Sequence, residues 1–128
     1  MKYQGGCHCG QVRFEIKIAN FKLITCDCSI CTKKGALHLR CAPVDFTLLK
    51  GLEALSEYRF NTREATHFFC KSCGIHTHSH PRIAPDQYSL NARCLDDFNE
   101  IQGKFERAFF QGSDSPPAQG CETSRRLT

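Results

Sequence analysis

Gly6-Cys7-His8-Cys9-Gly10-Gln11-Val12-Arg13-Phe14-Glu15-Ile16-Lys17-Ile18 carries both halves of the argument for the fold. Its second half is apolar at Val12, Phe14, Ile16 and Ile18, with Arg13, Glu15 and Lys17 between them. That period of two marks a strand with one buried face. Its first half offers two thiols with one residue between them. Tetrahedral zinc, with Zn–S near 2.3 Å, needs sulfurs only about 3.8 Å apart, and residues i and i+2 of an extended segment point the same way. The stretch therefore reads as half a metal site leading into a half-buried strand.

The same reading extends outward. Residues 36–42 alternate again, with Leu37, Leu39 and Cys41 on one face and His38 and Arg40 on the other. Segments 46–49, 57–60, 65–69 and 88–90 are further short strand candidates, and Gly5-Gly6, Asn61-Thr62-Arg63 and 81–85 supply turn chemistry. Helical signal is confined to single turns at 29–34, 52–56 and 96–100. Many short strands and frequent turns predict a mainly β domain over residues 1–110. From Gln111 the composition changes, with a Pro-Pro pair and three apolar residues in eighteen. Such a segment buries too little surface to offset its ordering entropy, so 111–128 reads as a flexible C-terminal tail in which Cys121 is spare.

Composition narrows the class. The chain has 128 residues, ten of them cysteine, and no Trp. Setting the cysteines aside reduces the 41% hydrophobic share to about a third, a modest supply for a core. No run of apolar residues exceeds three, which excludes a membrane-spanning helix, and residues 1–19 lack the apolar stretch of a secretory signal. The net charge of +4 suits an anionic small ligand and falls short of the basic stripe that nucleic acid requires. A cytoplasmic chain so rich in cysteine is expected to bind metal rather than form disulfides. Metal binding then contributes the folding free energy that a small core lacks.

Seven cysteines fall into three groups: Cys7-His8-Cys9, Cys26-Asp27-Cys28-Ser29-Ile30-Cys31 and Cys70-Lys71-Ser72-Cys73-Gly74. Pairing Cys7 and Cys9 with Cys70 and Cys73 gives four thiolates, the closed arrangement of structural zinc. It leaves Cys26, Cys28 and Cys31 as three, and three protein ligands with an open fourth position is the arrangement of catalytic zinc. Spacing leaves other groupings open. The first pair can close with two of the middle three, and Cys41, Cys94 or a histidine (His38, His67 or His76) can be a fourth ligand. An iron–sulfur cluster or a redox pair at Cys28 and Cys31 fits less well, for want of a fourth nearby cysteine and of a βαβ setting. Cys41 and Cys94 otherwise read as buried small hydrophobes.

His76, His78 and His80 alternate and so are expected on one face of an extended segment, either solvated or beside the open metal. His8, between two ligands, is expected to face away. Lys33 and Lys34 follow the middle group closely enough to offset the net −1 of zinc with three thiolates.

The three motifs together resemble one family. Gly6-Cys7-His8-Cys9-Gly10-Gln11-Val12-Arg13-Phe14-Glu15, then Cys26-Asp27-Cys28-Ser29-Ile30-Cys31 with Lys33, Lys34 and Gly35, then His67-Phe68-Phe69-Cys70-Lys71-Ser72-Cys73-Gly74-Ile75-His76-Thr77-His78, are similar to the motifs of the glutathione-dependent formaldehyde-activating enzymes, also called the centromere protein V family. The resemblance runs from about Tyr3 to about Phe98. It implies a β-tent fold of small coiled antiparallel sheets pinned by two zinc ions. Cys7, Cys9, Cys70 and Cys73 match the structural ligands, and Cys26, Cys28 and Cys31 the catalytic ones. The implied activity is that of a carbon–sulfur lyase forming S-(hydroxymethyl)glutathione from glutathione and formaldehyde. Two other functions stay open at this point: a non-catalytic zinc module or glutathione carrier with both metals structural, and a redox protein using Cys41 or Cys94.

Overall fold

The computed structural model describes residues 2–60, 65–81 and 86–110. In chain order the elements are β1 (Lys2–Gly6), β2 (Arg13–Lys17), β3 (Lys22–Cys26), α1 (Ser29–Lys34), β4 (His38–Cys41), β5 (Phe46–Lys50), β6 (Leu55–Tyr58), β7 (Thr66–Cys70), β8 (His76–His80), β9 (Tyr88–Asn91), α2 (Phe98–Ile101) and β10 (Glu106–Phe110). They form a three-stranded sheet, β1-β2-β5, and a seven-stranded sheet, β10-β3-β4-β9-β8-β7-β6. The mainly β class is as expected. One pair, β10 with β3, is parallel; the other ladders are antiparallel.

The alternation in the opening stretch does what its period demands. Val12, Phe14, Ile16 and Ile18 are all buried, while Lys17 faces out. Phe14 stacks on Phe46 at 5.7 Å between ring centroids, and Phe46 on Tyr88 at 4.3 Å, which joins the small sheet to β9 of the large one. Leu23, Leu39 and Leu90 complete this core. Each fully buried side chain of this size contributes about 1.5–3 kcal/mol.

Gly5 and Gly6 lie inside β1 rather than in a turn. A Cβ on Gly5 would sit 2.3 Å from the Cys94 carbonyl oxygen, and one on Gly6 would sit 2.1 Å from that of Val12. The pair is a site of close backbone approach, a second use of glycine in strands. The strands β1, β3 and β10 lack the alternation that would have announced them; β3, for example, buries Leu23 and Cys26 with two half-buried residues between. Strand β6 begins two residues earlier than expected, because only Leu52–Ala54 of the segment 52–56 is helical, as a short 3-10 turn. The single turns at 29–34 and near 96–100 are present as α1 and α2. The turns expected at 61–63 and within 82–85, and the tail at 111–128 with Cys121, lie outside the described residues. No helix among the described residues is long and apolar enough to cross a membrane.

Candidate metal centres

The end of β1 and the turn after it bring Cys7 and Cys9 against Cys70, the last residue of β7, and Cys73 in the turn before β8. The first pair sits in a tight turn, closed by Gly10 N–H donating to the Cys7 carbonyl at 3.4 Å, rather than in an extended segment. The second pair forms the expected knuckle. Gly74 N–H donates to the Cys70 carbonyl at 2.7 Å, and Gly74 takes φ of 77°, a left-handed backbone that favours glycine. The Cys7 and Cys9 sulfurs are 3.6 Å apart and those of Cys9 and Cys70 are 3.7 Å apart. These two spacings match the tetrahedral separation of about 3.8 Å, and all four sulfurs lie within 4.8 Å of one another, so the donor set suits zinc. Val12 N–H donates to Cys7 Sγ at 3.3 Å. Burial opposes ionising Cys73, yet N–H groups of Ile75 and Cys9 and the adjacent sulfurs bring its thiol down to about 6. His8 is exposed, facing away as expected.

A second set gathers Cys26 at the end of β3, Cys28 at the N-cap of α1 and Cys31 within α1, their ligand atoms mutually within 4.8 Å. Cys28 is fully enclosed and Cys26 and Cys31 are buried. The set of mutually close ligand atoms stops, among the described residues, at these three sulfurs. Soft thiolates in this number suit zinc.

The histidines are not where alternation alone places them. Thr77 is an extra residue in β8 opposite the Phe68/Phe69 step, a bulge that puts His76 on the sheet face opposite to His78 and His80. His78 and His80 pack on Phe68 and Tyr88, with His78 also against Phe46. Burial drives His78 down to about 3, so it is a neutral core residue.

The other face of the large sheet is polar and covered. His67, Ser79 and Ser89 align across β7, β8 and β9, with His38 and His76 beside them. His38, His67, Ser79 and Ser89 are all buried. Cys31 and Lys34, three residues apart and therefore on one face of α1, reach down to this surface. His38 Nε2 lies 3.2 Å from Cys31 Sγ, and its Nδ1 lies 3.1 Å from Ser89 Oγ. Lys34 Nζ lies 3.1 Å from His67 Nδ1 and 3.1 Å from His76 Nε2. His76 Nδ1 donates to the Phe68 carbonyl at 2.9 Å, so its Nε2 accepts from the lysine. If His67 Nδ1 accepts as well, the proton is on Nε2, which is buried without a hydrogen-bond partner among the described residues. Burial first, then the Lys34 charge, holds His38 near 4, His67 near 3 and His76 near 2.

Lys34 was legible only as one of two nearby cations; its neighbour Lys33 points to solvent. Its imidazole partners were hidden because the bulge that turns His76 toward it leaves no mark in composition or period. Cys41 and Cys94, expected to be buried, are half-buried and pack against the edge of the core, and this burial pushes their thiols up to about 11 and 12.

A mainly β frame of two sheets, with a four-sulfur and a three-sulfur centre, defines a protein with two candidate cysteine-ligated metal sites. The chain belongs to the glutathione-dependent formaldehyde-activating enzyme family, whose model matches residues 2–112. It is also similar to the crystal structure of a Rhodobacter sphaeroides protein from structural genomics, with 36% identity and a TM-score of 0.76 over 84% of this chain and 99% of that one.

Proposed function

We propose that this protein is a zinc-dependent carbon–sulfur lyase of the S-(hydroxymethyl)glutathione synthase type, joining glutathione, or a related thiol, to formaldehyde or a related aldehyde in a reducing, cytoplasmic setting. The observation that carries this reading is the three-sulfur set of Cys26, Cys28 and Cys31, which has the ligand number of catalytic zinc. Membership of the family supplies the substrate class. Cys7, Cys9, Cys70 and Cys73 would hold a second, structural ion.

Zinc bound by Cys26, Cys28 and Cys31 would favour the ionised form of a fourth, substrate sulfur at neutral pH. The reaction is addition of a thiolate to an aldehyde: a C–S bond forms, the carbonyl electron pair moves to oxygen, and the oxygen takes up one proton. Holding the two reactants near one another would contribute by proximity rather than by a new reactive group. Lys34 is the proton donor in this reading. It follows Cys31 on the same helix face, and two neutral imidazole nitrogens at 3.1 Å orient its ammonium. The neutral His76 accepts from Lys34 through Nε2, so it holds the ammonium in place rather than competing as an acid.

Two-dimensional exchange NMR on ¹³C-formaldehyde with glutathione tests the reading. Added wild-type protein should strengthen the exchange peaks between free and adducted formaldehyde, and Cys28→Ser should not. Equal spectra with both proteins would contradict it.

A further inference from the structure

We infer that His38, held by Ser89, is a positioning residue that donates its Nε2 proton to Cys31 Sγ and makes Cys31 a poor nucleophile, so that an aldehyde is captured by the incoming thiol rather than by the protein. The inference rests on the three-cysteine set holding zinc as proposed above.

A site that joins a thiol to an aldehyde by means of thiolate ligands faces a problem of selection. Each ligand sulfur is itself a thiolate beside an electrophile. Addition of the aldehyde to Cys31 would form a C–S bond, send the carbonyl pair to oxygen with uptake of a proton, and modify a ligand. A hydrogen bond to a thiolate lone pair lowers its donor strength, and bonds to an ionised acceptor are about twice as strong as neutral ones.

The geometry supplies such bonds to the protein sulfurs. The backbone N–H of Cys28 donates to Cys26 Sγ at 3.5 Å, while Cys31 receives a side-chain donor, His38 Nε2, at 3.2 Å. A metal-bound thiolate carries no proton, so Nε2 must be the donor, and Nδ1 then accepts from the Ser89 hydroxyl at 3.1 Å. His38 and Ser89 come from β4 and β9, paired in the large sheet, so rigid strands rather than a loop fix the ring. His38 is not a fourth ligand in this arrangement. Its nitrogens fall outside the group of ligand atoms lying within 4.8 Å of one another, and both are already engaged.

The test uses the zinc-loaded full chain and reads two signals besides turnover. The first is the iodoacetamide alkylation rate of Cys31, resolved from Cys26 by peptide mass. The second is the sulfur-to-metal charge-transfer band after cobalt(II) replaces zinc. His38→Ala should speed Cys31 alkylation about fivefold to tenfold relative to Cys26, and shift the cobalt band to longer wavelength. His38→Gln, whose amide N–H reaches the position of Nε2, should restore both signals. Ser89→Ala should move both in the same direction as His38→Ala but less far, and it keeps the test open should His38→Ala fail to fold. Unchanged alkylation and an unchanged band in His38→Ala would overturn the inference. So would loss of one metal ion in His38→Ala and His38→Gln alike, the signature of a ligand. Uptake of a single metal ion by the wild-type chain would overturn the reading beneath it.

Discussion

Cys9 Sγ lies 3.7 Å from Cys70 Sγ although 61 residues separate them along the chain. One sulfur belongs to the turn between β1 and β2 of the small sheet, the other to the end of β7 in the large sheet. The contact therefore fixes one sheet against the other at a point where the apolar core is thin: Cys7, Val12, Ala54 and Cys70 form a small buried cluster of their own.

A metal at this centre would be part of the fold. Structural zinc in small domains contributes about 10–16 kcal/mol of apparent binding free energy, as much as the entire stability of a typical domain, about 5–15 kcal/mol. Cys70→Ser should leave the chain unfolded or molten at 25 °C, measured by thermal unfolding and near-ultraviolet circular dichroism. A cooperative transition at the wild-type temperature would contradict this.

The three-sulfur centre should behave differently. Its ligands come from the end of β3 and from α1, one continuous segment that bridges no pair of sheets. Cys28→Ser is expected to keep a dispersed NMR spectrum and lose glutathione binding by calorimetry. If instead replacing any of the seven ligands unfolds the chain alike, both centres are structural and the protein is a binding module.

Lys34→Met should lower kcat at least tenfold while leaving metal content and thiol affinity near wild type, as loss of a general acid does. Steady-state exchange rates and metal analysis check this together. An unchanged kcat would place the proton source elsewhere.

Acid should destabilise the protein through its buried imidazoles. In the unfolded chain a histidine titrates near 6.5, whereas His67 and His78 stay neutral down to about 3 and His76 down to about 2. Between those values the unfolded state binds more protons, so stability is full above pH 6.5 and is lost as pH falls below it. Each such group adds up to about 1.4 kcal/mol per pH unit. Urea unfolding at pH 7 and pH 5.5 measures the slope. His78 faces the core rather than either centre, so His78→Gln should make the slope between those two pH values shallower by about 0.6 proton; an unchanged slope would refute its buried neutral state.

Burial holds Cys41 and Cys94 as inert thiols, raised to about 11 and 12. In a native thiol titration with an aromatic disulfide at pH 8 neither should react until the chain unfolds. Fast reaction of either would revive a redox role.

The legible parts of this molecule are those where one residue type and one spacing permit a single geometry. Strict alternation from Val12 to Ile18 gave β2; the cysteine spacings marked three half-sites but left their grouping open, and the first pair lies on a turn rather than the extended segment expected of it. Where two causes compete, the sequence was ambiguous. Gly5-Gly6 carries turn chemistry, but the backbone of Cys94 and Val12 presses on it and keeps it in β1. The alternation of His76, His78 and His80 is real, and one bulged residue at Thr77 reverses half of its meaning. His38 alternates as a solvent-side residue would, yet α1 covers that face, and the burial that turns it toward Cys31 is a tertiary fact.

Native mass spectrometry of the intact chain, with and without glutathione, tests the central claim most directly. The account predicts two zinc ions per chain and one further mass of glutathione, with the second zinc and the adduct both lost in Cys28→Ser. A single zinc, or two zincs that take up no glutathione, would contradict an open site at Cys26, Cys28 and Cys31.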